Sequence, residues 1–100
     1  MLRRFAIKFI QYMATNIHDF LSSDNASELQ NVLRMPEYRL YIRSLKTGDG
    51  AFCFRVHNRQ NRIAGRSRGF ESRHDRDSLL NAFITFVEVE IHGRLQMELF

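Results

Sequence analysis

The chain has no tryptophan, one cysteine and one proline among its 100 residues. A single cysteine excludes an internal disulfide and is compatible with a reducing compartment, so the expected location is the cytoplasm. No apolar run approaches the roughly 18 residues of a membrane span, so we expect no integral membrane association. The sequence also lacks a glycine-rich phosphate loop, a metal-spaced ligand cluster and a Ser/His/Asp arrangement with recognisable flanks. We therefore expect a protein that is not an enzyme and has no metal or cofactor.

The composition is that of a folded protein, since 44% of the residues are hydrophobic. A chain of this length forms one domain with one modest core. We assign residues 1–100 to a single α+β domain, with a helical N-terminal segment at 1–35 and a sheet-plus-helix unit at 37–91.

Three short runs alternate between apolar and polar side chains, which is typical of half-buried strands. They span residues 38–43, 52–57 and 62–66. Between them, Thr47–Gly50 supplies glycines for a tight hairpin and Asn58–Asn61 is a short polar turn. The pattern predicts a three-stranded antiparallel meander. The side chains predicted to face inward are Tyr38, Leu40, Ile42, Phe52, Phe54, Val56 and Ile63.

A long helix is predicted after the third strand. Ser72 followed by Asp75 resembles a helix N-terminal cap, and apolar residues then recur at helical spacing from Leu80 to Ile91. Gly93 is placed to end the helix. The alternative is a hairpin over residues 87–99. A short last strand over Leu95, Met97 and Leu99 fits either interpretation.

Two helices are predicted before the sheet. Apolar residues keep helical spacing from Leu2 to Ser22, and Asn25–Glu28 resembles a capping box that opens a second helix, which ends before Pro36. The first helix has four interpretations: packing on the core, an organellar targeting peptide, a membrane-surface helix, or a dimer seam. Met13 is an alternative start of the chain, which would make residues 1–12 an upstream extension.

Charge is unevenly distributed along the chain, whose net charge is +4. Residues 37–76 carry ten basic and four acidic side chains, whereas residues 77–100 carry one basic and four acidic ones. Most of the basic residues are arginines, which make planar two-point contacts with phosphate or carboxylate. The predicted sheet is therefore basic.

The sheet face opposite the predicted helix carries most of these cations. Arginines there would contact phosphates, and Tyr41 would stack on a base. The predicted nucleic-acid-binding residues are Arg39, Tyr41, Arg43, Arg55, His57, Arg59, Arg62, Arg66 and Arg68. We interpret Cys53 as a packed or sheet-surface residue, and Glu88 with His92 as part of a solvated helix face.

Part of this segment resembles the YegP-like family, which are small bacterial proteins built from three strands and a helix. The resemblance rests on residues 50–64 and on Gly69–Arg73, where Phe70, Ser72 and Arg73 stand in for the family's tyrosine-serine-lysine helix entry. It covers residues 38–87, lacks the family's turn glycine, and implies a fold but no activity. The order of elements is also similar to DNA-binding domains that lay a three-stranded sheet in the major groove, an analogy of shape and charge alone.

The sequence thus predicts a small basic protein that contacts DNA or RNA through the arginine-bearing sheet face. The alternative is a protein-binding module that uses the first helix or an open sheet edge. Such a module would be a homodimer or a small inhibitor of a larger complex, for example a complex that handles nucleic acid. Its size would suit an origin in a mobile element.

Overall fold

The computed structural model describes residues 17–93. It has the mixed α+β architecture that the sequence predicts, with a sheet and a C-terminal helix packed on it. In chain order the elements are a 3-10 turn Ile17–Asp19, helix α1 Ala26–Leu33, a 3-10 turn Tyr38–Tyr41, strands β1 Ile42–Lys46, β2 Phe52–His57 and β3 Ile63–Arg66, helix α2 Arg73–Phe86, and a π-helical continuation Val87–His92.

Within residues 17–93, three strands form one antiparallel sheet in the order β1-β2-β3, which confirms the predicted meander. The two turns use the predicted residues. Gly50 has φ +90°, a conformation that glycine adopts without strain. In the second turn the side-chain oxygen of Asn58 accepts 2.9 Å hydrogen bonds from the amides of Gln60 and Arg62, and Asn61 has φ +64°. Both connections are therefore determined locally.

The first strand lies later in the chain than its alternating pattern predicts. Residues 38–41 form a 3-10 turn, and β1 begins at Ile42. Tyr38 is 2% exposed whereas Leu40 is 77% exposed, so these two residues do not share an inward face. Contacts with the distant C-terminal helix hold Tyr38 in this position: its hydroxyl donates to Glu88 at 2.7 Å and its ring stacks on His92. Tertiary contacts override the local β pattern here.

The core lies between α2 and one face of the sheet. Phe54 and Val56 of β2 are fully buried, as are Phe83 and Val87 of the C-terminal helix. The rings of Phe54 and Phe83 have centroids 5.5 Å apart. The inward orientation predicted for Phe54 and Val56 is confirmed, and burying each such side chain contributes about 1.5–3 kcal/mol.

Helix α1 closes the core at the β3 side of the sheet. Its N-cap is Asn25, whose side chain accepts from the amide of Glu28 at 3.1 Å, as predicted. A Cβ atom on Gly65 would lie 3.1 Å from a methyl of Leu29, closer than ordinary packing allows. Glycine at this position therefore lets α1 approach β3 closely, and Leu29, Val32 and Leu33 are buried.

The helix predicted from Leu2 to Ser22 does not extend to Ser22. Its residues 2–16 lie outside the described part of the chain, and Ile17–Asp19 form a 3-10 turn. Ser22 then exchanges two 2.9 Å backbone hydrogen bonds with Arg66, which adds a single bridge to the outer edge of β3. This end of the predicted helix is extended because it pairs with the sheet.

The C-terminal segment is helical through residue 92, so the helix prediction is confirmed over the hairpin alternative for this part of the chain. Ser72 caps α2 by accepting from the amide of Asp75 at 3.1 Å. Gly93 has φ −59° and ψ −43°, so it does not provide the left-handed cap expected of it. The predicted strand over residues 95–99 lies outside the described residues. Among residues 17–93, no helix is long and apolar enough to cross a membrane.

Candidate nucleic-acid interface

Three arginines form a row across the sheet, one on each strand. Arg43 lies directly opposite Arg55, and Arg55 directly opposite Arg66. Residues directly opposite each other in an antiparallel pair project from the same face. Since Phe54 and Val56 alternate with Arg55 and point into the core, the row lies on the face away from α2. Neighbouring strands are about 4.8 Å apart, so the row is about 10 Å long at the backbone. We call these residues the arginine row.

Among the described residues, no carboxylate balances the charges of the arginine row. Within residues 17–93, no carboxylate lies within 4 Å of Arg43, Arg55 or Arg66. The carboxylates of Glu88 and Asp77 pair instead with Arg39 and Arg76. Arg43 and Arg66 are exposed and Arg55 is half-buried. Like charges directly opposite each other destabilise a sheet. The row therefore costs folding free energy that an external anion would offset.

Three more predicted residues lie near the turn between β2 and β3. His57 lies two residues after Arg55 in β2, on the same face of the sheet as the arginine row, and its Nδ1 is 3.4 Å from the carbonyl oxygen of Asn61. Arg59 and Arg62 are exposed on the turn. Arg59 also borders a cavity of about 340 Å³ between α1 and the turn. Arg59 and Arg62 extend the positive surface along the sheet from the arginine row.

Two predicted residues do not lie on the sheet face that carries the arginine row. Nη2 of Arg39 lies 2.8 Å from the Glu88 carboxylate on the C-terminal helix, and Arg39 precedes β1. Tyr41 is half-buried and packs against the core. Both lie in the 3-10 turn that replaces the first part of the predicted strand. Arg68 lies beyond the row, over the ring of Phe70 at 5.1 Å.

Tyr38, Arg39 and Glu88 form a polar cluster that ties the C-terminal helix to the start of β1. The hydrogen bond donated by Tyr38, together with the adjacent Arg39 guanidinium, lowers the pKa of the Glu88 carboxyl. Burial raises the pKa of the Tyr38 hydroxyl. His92 completes the contact, because its Nε2 donates to the carbonyl oxygen of Leu33 at 2.8 Å. Glu88 and His92 therefore have structural partners.

The lowered pKa of Glu88 predicts a pH-dependent contribution to stability. This contribution is present above the unfolded-state pKa of about 4.3 and is lost as the pH falls through the lower pKa of the folded state. We expect Glu88→Gln to reduce the difference in unfolding free energy between about pH 7 and about pH 3, by a small amount because the side chain is 45% exposed. Urea unfolding across this range measures it. The control is Glu71→Gln, which removes an exposed carboxylate before α2. A pH profile in Glu88→Gln that equals that of the wild type would contradict a stabilising role of the ionised Glu88 carboxylate.

One group of cations was missed in the sequence. Lys46, Arg73 and Arg76 lie around the ring of Phe52, with the charged groups 5.2, 5.7 and 5.6 Å from its centroid. The pairing of Lys46 with Phe52 follows from the hairpin register, and Arg73 and Arg76 are one helical turn apart. Which face of α2 meets Phe52 depends on helix packing, so the sequence alone does not show the cluster.

The structure also places Cys53 and the candidate metal ligands among residues 17–93. Cys53 is 5% exposed and lies opposite Leu45 in the sheet, which confirms it as a packed residue. Within residues 17–93, no group of three or more histidine, cysteine or carboxylate side chains is placed to hold a metal ion.

Comparison of the chain with protein-family models, curated proteins and solved structures finds no match. The resemblance to the YegP-like family therefore stays a prediction, and the function has to be argued from the geometry.

Proposed function

We propose that this domain binds nucleic acid, without catalysing a reaction on it, by contacting backbone phosphates with the arginine row. The observation that carries the proposal is the register Arg43–Arg55–Arg66 across the sheet, together with the lack of carboxylate partners for these three residues within residues 17–93. Guanidinium groups make charge-assisted, two-point hydrogen bonds with phosphate oxygens. Bound phosphates would also relieve the repulsion within the row.

The flanking residues extend this contact in one direction. Arg59 and Arg62 continue the positive surface toward the β2–β3 turn, where they and the neighbouring His57 ring would contact the next phosphates. Arg39 and Tyr41 have no part in it, because the first is paired with Glu88 and the second packs on the core. Without Tyr41 the interface offers phosphate contacts and no tyrosine to stack on bases. We therefore propose binding with little dependence on base sequence.

The salt dependence of binding tests this proposal. Each neutralised phosphate contributes about −0.9 to the slope of log K against log salt on duplex DNA, so the three arginines predict a slope of about −3 or steeper. Fluorescence anisotropy with a labelled oligonucleotide at several salt concentrations measures it. No binding at low salt, or a slope near zero, would refute the proposal.

A protein partner is the second candidate. Strand β1 has no outer neighbour within residues 17–93, and Leu40, just before it, is 77% exposed. An unpaired strand edge can pair with a strand of another chain, including a second copy of this one. Sedimentation velocity over a range of protein concentrations distinguishes the two. Self-association that is insensitive to salt would favour this candidate, whereas a monomer at all concentrations would count against a homodimer.

A further inference from the structure

Three positive charges surround one phenyl ring at the end of the sheet next to the start of α2. Nζ of Lys46 and the guanidinium carbons of Arg73 and Arg76 lie 5.2, 5.7 and 5.6 Å from the centroid of the Phe52 ring. Cations are attracted to the electron-rich face of an aromatic ring. The ring thus holds these charges close together despite their mutual repulsion.

A fourth cation lies over the ring that neighbours Phe52 in the sheet. Phe70 exchanges two 2.8 Å backbone hydrogen bonds with Phe52, so the two residues are direct cross-strand neighbours. The guanidinium carbon of Arg68 lies 5.1 Å from the centroid of the Phe70 ring. We call the two rings and their four cations the Phe52 cluster.

The four cations differ in how their charge is used. Arg76 is 7% exposed, donates to Asp77 at 2.7 Å, and lies within 3.5 Å of the carbonyl oxygens of Leu45 and Cys53. Its role is structural. The other three are exposed, and no carboxylate within residues 17–93 lies within 4 Å of any of them. These three are Lys46, Arg68 and Arg73.

We propose that the Phe52 cluster is a binding site for a phosphate-class polyanion, held by Lys46, Arg68 and Arg73. The charged groups of Lys46 and Arg73 lie 5.2 and 5.7 Å from the same ring centroid and are therefore at most about 11 Å apart, a span that linked phosphate groups would bridge. Arg76 is a positioning residue, because its bonds to the sheet fix the start of α2 beside Phe52. Phe52 is three residues before Arg55 in β2, and successive strand residues point to opposite faces. Phe52 therefore lies on the opposite face from the arginine row. The site is thus separate from the proposed nucleic-acid interface and does not depend on it.

The test uses inorganic pyrophosphate as the probe, added to isotope-labelled full-length protein and followed by heteronuclear NMR. We expect shifts of the backbone amides around Phe52, Phe70 and Arg73. The variant Lys46→Gln with Arg73→Gln should bind roughly tenfold more weakly for each lost contact, because charge-assisted hydrogen bonds are worth about that much. Both side chains are exposed, and an unchanged melting temperature confirms that the variant is folded.

The matched control is Arg43→Gln with Arg55→Gln, which removes the same charge from the other face. The affinity for pyrophosphate read from the amide shifts at the Phe52 cluster should equal that of the wild type, since these shifts do not report phosphate bound at the arginine row. Absence of amide shifts at the cluster, or an equal loss of affinity in both double variants, would overturn the proposal, the latter because net charge would then explain the binding. The control also separates the two hypotheses, since failure of the arginine row would appear in oligonucleotide binding and leave the pyrophosphate-induced amide shifts at the Phe52 cluster unchanged.

The natural anion is either a nucleic-acid backbone or a free polyphosphate, and a competition experiment distinguishes them. Displacement of pyrophosphate from the cluster by a saturating oligonucleotide would identify nucleic acid as the source. Retention of pyrophosphate at the cluster, with the oligonucleotide bound elsewhere, would identify a free phosphate compound. Both outcomes support an anion site at the Phe52 cluster.

Discussion

The variant Arg43→Gln with Arg55→Gln is expected to bind an oligonucleotide roughly a hundredfold more weakly than the wild type, because two charge-assisted phosphate contacts are lost at about tenfold each. The slope of log K against log salt should become shallower by about 2, since each phosphate contact contributes about 0.9. Fluorescence anisotropy over a salt series measures both quantities with one labelled oligonucleotide.

The loss of binding is not expected to come with a loss of folding stability. Arg43 and Arg55 are direct cross-strand neighbours of like charge, so removing both charges is expected to leave the unfolding free energy unchanged or slightly higher. The matched control is Arg34→Gln, an exposed arginine just after α1, which we expect to bind within about twofold of the wild type because salt screens distant surface charges. Equal affinity of the double variant and the wild type would refute the arginine row as the interface.

Replacing Phe83 by alanine is expected to reduce the unfolding free energy by roughly 3–5 kcal/mol, which is the usual cost of removing a buried aromatic ring. This ring is fully buried, and its centroid lies 5.5 Å from that of Phe54 and 5.7 Å from that of Phe20. It therefore joins the sheet, α2 and the N-terminal segment. Domains of this kind have a total margin of about 5–15 kcal/mol, so the loss would be between about a fifth and the whole of it. Urea denaturation measures the loss.

Two variants make this result specific to the position of Phe83. Phe83→Leu keeps an apolar side chain in the site and should lose clearly less than the alanine variant. Phe86→Ala removes a ring from the same helix at a half-buried position, so a smaller loss is expected there as well. If Phe83→Ala and Phe86→Ala were equally destabilised, the packing described for the core would be wrong.

The parts of the fold that were predicted correctly are those with local causes. Alternation along residues 52–57, a glycine at a positive φ in the first turn and Ser72 at a helix start each act within a few residues. The face occupied by Arg43, Arg55 and Arg66 followed from that alternation. Their direct alignment across the sheet did not, because the register depends on a β-bulge between β2 and β3 that leaves no clear mark in the residues.

The wrong predictions arose where distant residues compete with local preference. Residues 38–43 alternate like a strand, yet Tyr38 and Arg39 bind Glu88 on the C-terminal helix, and the chain turns there instead of extending. Similarly, the apolar stripe before Ser22 predicts a continuous helix, but Ser22 pairs with Arg66. In both cases hydrogen bonds to remote groups outweigh the small free-energy differences between local backbone conformations.

By itself the amino-acid sequence determined the α+β class, the meander with its two turns, the start of α2 and the excess of positive charge on the sheet segment. The tertiary structure decided which of those charges are paired with a carboxylate within residues 17–93. It paired Arg39 with Glu88, placed Tyr41 against the core, aligned Arg43, Arg55 and Arg66, and gathered Lys46, Arg73 and Arg76 around Phe52. The physical reason is that backbone preference and hydrophobic periodicity act over a few residues, whereas ion pairs and cation–π contacts depend on which distant side chains packing brings within a few ångströms.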